Sequence, residues 1–308
     1  IFGMITVAYP QNLETKYFLK KIKTKKINHI GNLKFAENPE ENIKIKNKKL
    51  KSELNKNKIW VASSTHKNEE IFCANAHKEL KKKIKNLNPK IQLGFNRRYD
   101  PGHNNLKKQL LNGKIGKLEK IIITSRDPAP PSIKYLKESG GIFRDMMIHD
   151  FDLVRFFLGK DEPSKLIASG SNISDKRFNK IRDFELASCM IQSKNGVQCI
   201  ITNSRHCSFG YDQRVEIFGS KGMVISENIR ENETSLYSSN STSNKSPLLN
   251  FFIERYKDAY KKQLNDFSKF INKNIRPLAE FEEGRRALIM ANAAKKSLGS
   301  KKFEKLTF

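Results

Sequence analysis

Residues 140–157 read GGIFRDMMIHDFDLVRFF, and they set the reading of the chain. Two glycines open an apolar run without proline, which predicts a buried helix over 140–158. Four stretches follow it, KLIASGSNI (165–173), FELASCMIQSKN (184–195), VQCIITNSRH (197–206) and QRVEIFGSKGMVISE (213–227). Several alternate apolar and polar residues, as strands of a half-buried sheet do. A helix and then a run of strands predict an α+β domain with an open sheet. On the helix, Asp145 and His149 are four apart and share a face. A neutral imidazole beside a carboxylate suits removal of a proton from an alcohol, although such a pair taken alone is more often a structural hydrogen bond. Asp150 and Asp152 fall on other faces and are expected to meet solvent or to pack the helix.

Upstream of this helix, IQLGFNRRYDP (91–101) reads as a strand running into a turn, NNLKKQLLNGKIG (104–116) as a helix with a glycine stop, and LEKIIITSRD (118–127) as a strand leading into the proline-rich PAPPS. Downstream lie a low-complexity polar loop (230–248), two amphipathic helices at about 249–273 and 279–298, and a closing strand, KKFEKLTF. The first ninety residues alternate short strands and helices: ITVAYP, NLETKYFLKKIK and INHIG, then IWVASST and KNEEIFCANAHKELKKKI, with a Lys/Asn/Glu-rich linker over 37–58. The fold class is therefore α/β plus α+β. A truncated Rossmann-like α/β segment, 1–89, precedes an α+β domain, 90–308, with an open, largely antiparallel sheet.

Composition narrows the function. The net charge is +27, and residues 1–90 hold 21 Lys and no Arg. These lysines lie in scattered pairs and triplets without the Arg, Gly and aromatic interleaving of a base-reading surface, so solvated surface is preferred to a specific nucleic-acid site. The cysteines, Cys73, Cys189, Cys199 and Cys207, form no CxxC pair and no zinc-spaced cluster, which points to a reduced, cytoplasmic protein without a metal. No apolar run has the length of a membrane span and no signal peptide is evident, while a start at Ile1 in place of Met leads to the expectation of a fragment.

The segments GFNRRYDP, SRDPAPP, GGIFRDMMIHDFDLVRF, FGYDQRVEIFGSKGMV and ANAAKKSLGSKKFEKL occur in order over about 91–308. Together they resemble the substrate half of the Gfo/Idh/MocA oxidoreductases, and SRDPAPP and the IHDFD helix look most like the inositol 2-dehydrogenase branch. The resemblance implies hydride transfer from a ring carbinol of a polyol to NAD, with His149 as base and Asp145 beside it. It also implies Arg126 and Tyr211 facing the polyol, and a homo-oligomer formed through the sheet. Asn96 and Arg97, where the family's two domains meet, are weaker cofactor candidates, with a hinge role at least as well supported.

The half that would hold the cofactor is not evident. No GxGxxG follows a strand before residue 91, and the family's Glu-Lys-Pro segment is lacking. Residues 1–89 instead resemble the Kdo (3-deoxy-manno-octulosonate) transferases, on AYPQNLETKYFLKKI, IGNLKFA and WVASSTHKNEEIFCANAHKEL. There Ser63, Ser64 and Thr65 would open a helix as an anion site for a CMP-sugar phosphate, or serve as an ordinary helix cap. A rival reading takes 57–86 as a worn remnant of the oxidoreductase's own nucleotide domain. The expectation is thus a hybrid joined near 88–91: an inositol 2-dehydrogenase-like, NAD-dependent oxidoreductase, catalytically incomplete. The alternatives are a Kdo transferase fragment fused to it and a non-catalytic oligomerisation domain.

Overall fold

The computed structural model describes residues 20–21 and 90–308. The transferase-like segment, with Ser63, Ser64 and Thr65, and the expected joint near 88–91 lie outside the described residues or at their edge.

The described part starts with a correction. Residues 91–95 form no strand; Leu93 N–H donates to Ala279 O (2.9 Å), and a 3₁₀ turn follows at Asn96–Tyr99. Helix α1 (Pro101–Leu111) begins where local chemistry favours it, with Pro101 in its first turn and the Asp100 carboxylate accepting the His103 N–H. Strand β1 (Leu118–Arg126) and the short α2 (Ile133–Glu138) come next.

The run at 140–158 is two helices instead of one. α3 (Ile142–Asp145) ends after a single turn, and α4 (Ile148–Leu158) starts beyond a tight bend in which the N–H groups of Met146 and Met147 both donate to Ile142 O. Asp145 closes one helix and His149 sits in the first turn of the next, so the two do not lie on one continuous helix. α4 ends at Gly159, whose φ of 67° lets its N–H return to Arg155 O.

The remaining elements are β2 (Pro163–Ser171), α5 (Arg177–Ile181), β3 (Leu186–Ser193), β4 (Gln198–Ser204), β5 (Asp212–Gly219), β6 (Gly222–Ser226), β7 (Ser235–Ser238), β8 (Ser241–Lys245), α6 (Phe252–Arg255), α7 (Lys257–Lys273), α8 (Phe281–Ser300) and β9 (Glu304–Lys305). Seven strands form one sheet in the order β6-β5-β1-β4-β3-β2-β9. Every pairing is antiparallel except β1 with β4, which run parallel with Ser125 opposite Asn203. The predicted open, largely antiparallel sheet is present. The polar segment expected to be a loop carries an exposed β7–β8 hairpin.

Alternation along the strands sends Ile121, Ile123, Ile191, Cys199, Ile201, Val215 and Ile217 to one face, where they pack with α4 and α8. α8 opens with a capping box between Glu280 and Glu283 and presents Ala287, Met290, Ala291 and Ala294, small enough for a close approach. α7 sets Ala259, Gln263 and Phe267 inward and packs against the 96–99 turn. The opposite sheet face stays open, with Met190, Phe218, Met223 and Ile225 exposed.

Candidate active site

The C-terminal ends of the parallel strands β1 and β4 lie side by side, and the polar residues there reach the start of α4. Asp150 is fully buried and carries the heart of this network. Its Oδ1 accepts from Arg97 Nη1 (2.5 Å) and Ser125 Oγ (2.7 Å), and its Oδ2 from Asn203 Nδ2 (2.8 Å). Arg97 also donates to Ser125 Oγ (2.9 Å), and its guanidinium lies 5.9 Å from the Tyr256 ring. Beside it, Arg98 forms a two-pronged pair with buried Asp152 (2.7 and 2.8 Å). Asp150 and Asp152 are thus ion-paired interior carboxylates. The solvent-facing option is excluded, because such charges are kept in the interior only when paired.

His149 is half-buried, with its ring edge-to-face against Phe95 (5.9 Å). Its Nδ1 is buried and has no hydrogen-bond partner among the described residues. Burial first, and then the positive charge of Arg97, hold the imidazole down at about 3, so the ring is neutral at neutral pH. Asp145 lies at the end of α3, its Oδ1 accepting from the Tyr135 hydroxyl and its Oδ2 from Arg205 Nη1, both at 2.6 Å. Its carboxylate oxygens are engaged by Tyr135 and Arg205.

Tyr211 is buried against Phe251 (5.3 Å) and Tyr256 (6.2 Å), and burial pushes its phenol well above the usual range. Arg126 takes another direction. Strand alternation puts it on the face opposite Ser125, where it donates to Asp212 Oδ2 (2.9 Å) while about a third of its side chain (35%) stays accessible. Asn96 is buried in the 3₁₀ turn. The structure therefore gathers Arg97, Tyr211 and Asp150 around the base of α4, holds Asp145 close by through Arg205, and leaves Arg126 at the rim.

Sequence reasoning missed Asp127, Arg205, Tyr135 and Asn203. Burial pushes the Asp127 carboxyl up to about 6, against the pull of Arg205 and Arg97. Tyr135 lies in the PAPPS-to-glycine connection, where nothing in the pattern marks it. Asp127 and Arg205 each follow a strand directly, and that position was the available signal. Among the described residues no cluster of His, Cys, Asp and Glu could hold a metal ion, and no helix is long and apolar enough to cross a membrane.

A family model described as the GFO/IDH/MocA C-terminal domain matches residues 103–225. The myo-inositol 2-dehydrogenase of Thermotoga maritima is 43% identical over 213 residues, covering 69% of this chain and 63% of that protein. The chain thus spans less than two thirds of that relative. A crystal structure of a probable dehydrogenase from Thermotoga maritima superposes with a TM-score of 0.81 at 32% identity, over 98% of this chain and 92% of that one. The scyllo-inositol dehydrogenase of Lactobacillus casei with bound NAD(H) and scyllo-inositol shares the fold (TM-score 0.77, 22% identity, 97% of this chain and 90% of that one). An alignment over nearly the whole chain gives no support to a catalytically incomplete hybrid.

Proposed function

The chain belongs to the Gfo/Idh/MocA oxidoreductases, and from that footing we propose that it oxidises a ring carbinol of an inositol-type cyclic polyol to the ketone, with NAD as cofactor. The observation that carries this reading is His149, a neutral, half-buried imidazole beside the positive charge of Arg97. The neutral ring has an unprotonated nitrogen to receive the hydroxyl proton as the carbinol becomes a carbonyl. Asp145, four residues ahead at the end of α3, is the carboxylate that the family resemblance sets beside the imidazolium, against the charge of Arg97.

NAD, when bound, supplies the hydride acceptor. The described residues fit its reacting end, since a buried, unpartnered Nδ1 leaves His149 an open polar valence there. Asn96 and Arg97 are the described candidates to hold it. Arg97 Nη1 is committed to Asp150 and Ser125, and its charge adds positive potential there. Tyr211 and Arg126 would hydrogen-bond polyol hydroxyls, Arg126 from the rim.

The test is NADH formation with myo-, scyllo- and chiro-inositol. Saturable turnover supports the reading, and the absence of NADH with every isomer overturns it. A second part concerns assembly. The open sheet face, with four large apolar side chains exposed, is read as the contact between copies of the chain. Sedimentation should give an oligomer that Phe218→Glu shifts toward monomer; a monomeric wild type at micromolar concentration would contradict it. A transferase role for residues 1–89 has no observation in its favour among the described residues.

A further inference from the structure

Asp145 is held from outside its own helix. Tyr135 donates to Oδ1 and Arg205 Nη1 to Oδ2, each at 2.6 Å. Arg205 comes directly after β4, and its side chain is 1% exposed, so its charge serves neither solvent nor a docking partner. A guanidinium so placed is tolerated only when carboxylates surround it. The second is Asp183, whose Oδ2 lies 3.5 Å from Arg205 Nη2. Asp183 Oδ1 in turn accepts the N–H of Ile142 (2.8 Å), the first residue of α3, while Asp145 is the last.

Arg205 therefore grips α3 at both ends. The chain can enter α3 against Asp183 because residue 141 is glycine, with φ 89° and room for a Cβ only at 3.0 Å from Asp183 Oδ1. Arg205 is itself anchored, its backbone N–H donating to Glu185 O (2.8 Å). The Glu185 carboxylate in turn accepts backbone N–H groups from Ser174 (2.5 Å) and Asp175 (2.7 Å), which fixes the loop after β2.

Resting on the oxidoreductase reading above, we propose that Arg205 is a positioning residue of the active site, which fixes the Asp145 carboxylate and the placement of α3 just ahead of His149, with Tyr135 holding the second oxygen. Arg205 makes no contact with the reacting atoms. It sets where negative charge stands when His149 takes a proton, in a site where Arg97 opposes that proton. A loose Asp145 would leave the imidazolium to face Arg97 with less compensation.

The experiment uses the full chain with NAD and the inositol isomer that turns over fastest, and compares Arg205→Met, Arg205→Lys and Tyr135→Phe with wild type. Positioning predicts that Arg205→Met lowers kcat by about 100-fold, the lower end of what a placed acid–base group contributes. KM should stay within about threefold, and the primary isotope effect on the carbon-deuterated substrate should rise as chemistry becomes limiting. A structural defect that only reduces the folded fraction would not move the isotope effect. Arg205→Lys should recover part of kcat, as a point charge without the planar fork. Adding Arg205→Met to Asp145→Asn should cost little more than Asp145→Asn alone.

A folded Arg205→Met protein with wild-type kcat, or with losses that multiply those of Asp145→Asn, overturns the proposal. Should Arg205→Met fail to fold, Arg205→Lys and Tyr135→Phe carry the same readouts: lower kcat at constant KM supports positioning, and unchanged kcat in both overturns it. An active wild type with indifferent variants sinks this inference alone, whereas a wild type without turnover sinks the oxidoreductase reading and this inference together.

Discussion

His149 carries the most chemistry per atom, and its environment decides what it can do. A ring held neutral by burial and by Arg97 is available as a proton acceptor throughout the working range, but it needs nearby carboxylates before it can hold the proton. Replacing it with Asn keeps a polar side chain and removes the acceptor, so NADH formation should fall by about 10²–10⁴-fold with circular dichroism unchanged. Asp127 gives a second prediction, of opposite character. Its folded-state value of about 6 lies above the ordinary 3.8, so the folded protein binds this proton more tightly than the unfolded chain does. The resulting cost is absent below about pH 4, grows as pH rises toward 6 and is complete above it. Asp127→Asn removes that cost but also removes an anion near Arg205 and Arg97. The variant should thus gain on the order of 1 kcal/mol relative to wild type between pH 4 and pH 7, read as a growing difference in Tm. A difference that shrinks over that range would refute the assignment.

The parallel pairing of β1 and β4, alone of its kind among the described strands, is what assembles the site. It sets Ser125 and Asn203 opposite each other, both reaching Asp150, and brings Asp127 and Arg205 out at adjacent strand ends. Asp150 ties these elements to the 96–99 turn through Arg97. Asp150→Ala should therefore destabilise the fold by about 3–5 kcal/mol, because it strands a buried guanidinium. Adding Arg97→Met should return part of the loss in urea unfolding; additive losses would show that the pair is not coupled. Much of this architecture was legible. The strand-like stretches marked β1 to β4 and took β5 and β6 together as one, and glycine stops and amphipathic runs marked α1, α7 and α8. The bend between α3 and α4 was not, since Met146 and Met147 are good helix formers and the break comes from tertiary clamps on Ile142 and Asp145. The β7–β8 hairpin hid in a serine- and asparagine-rich stretch whose strands bury no apolar face. The family resemblance of the segments around them picks out His149 and Asp145, residue type and spacing alone favouring a structural pair. Asp127 and Arg205 offer only their places directly after a strand, because their proximity depends on which strands are neighbours.

Across the whole molecule, the excess of basic residues conceals an interior where the arginines are matched. Arg97, Arg98, Arg205 and Arg255 are buried against Asp150, Asp152, Asp145 and Asp100, so this part of the charge serves packing and none of it is an anion-binding surface. Such an interior responds to pH through its few groups that titrate between the ordinary His and Asp values. His103 is buried next to Arg97 and Arg255, and burial carries it well below the usual imidazole range even though Asp100 pulls the other way. His149 lies lower still, at about 3. For both, the folded state resists a proton that the unfolded chain accepts near pH 6.5, so their contribution is complete above pH 6.5 and is lost as pH falls toward the folded values. Asp127 works against them over part of that window, because its cost is relieved as pH drops from about 6. The two depressed imidazoles cost stability as pH falls from about 7 to about 4.5, and Asp127 returns part of it. Urea midpoints at the two values should show that loss, and His149→Asn, which has no proton to refuse, should lose less over the same interval. Equal slopes for the variant and the wild type would mean that His149 is exposed to solvent in the folded protein and that the depressed value does not govern its chemistry.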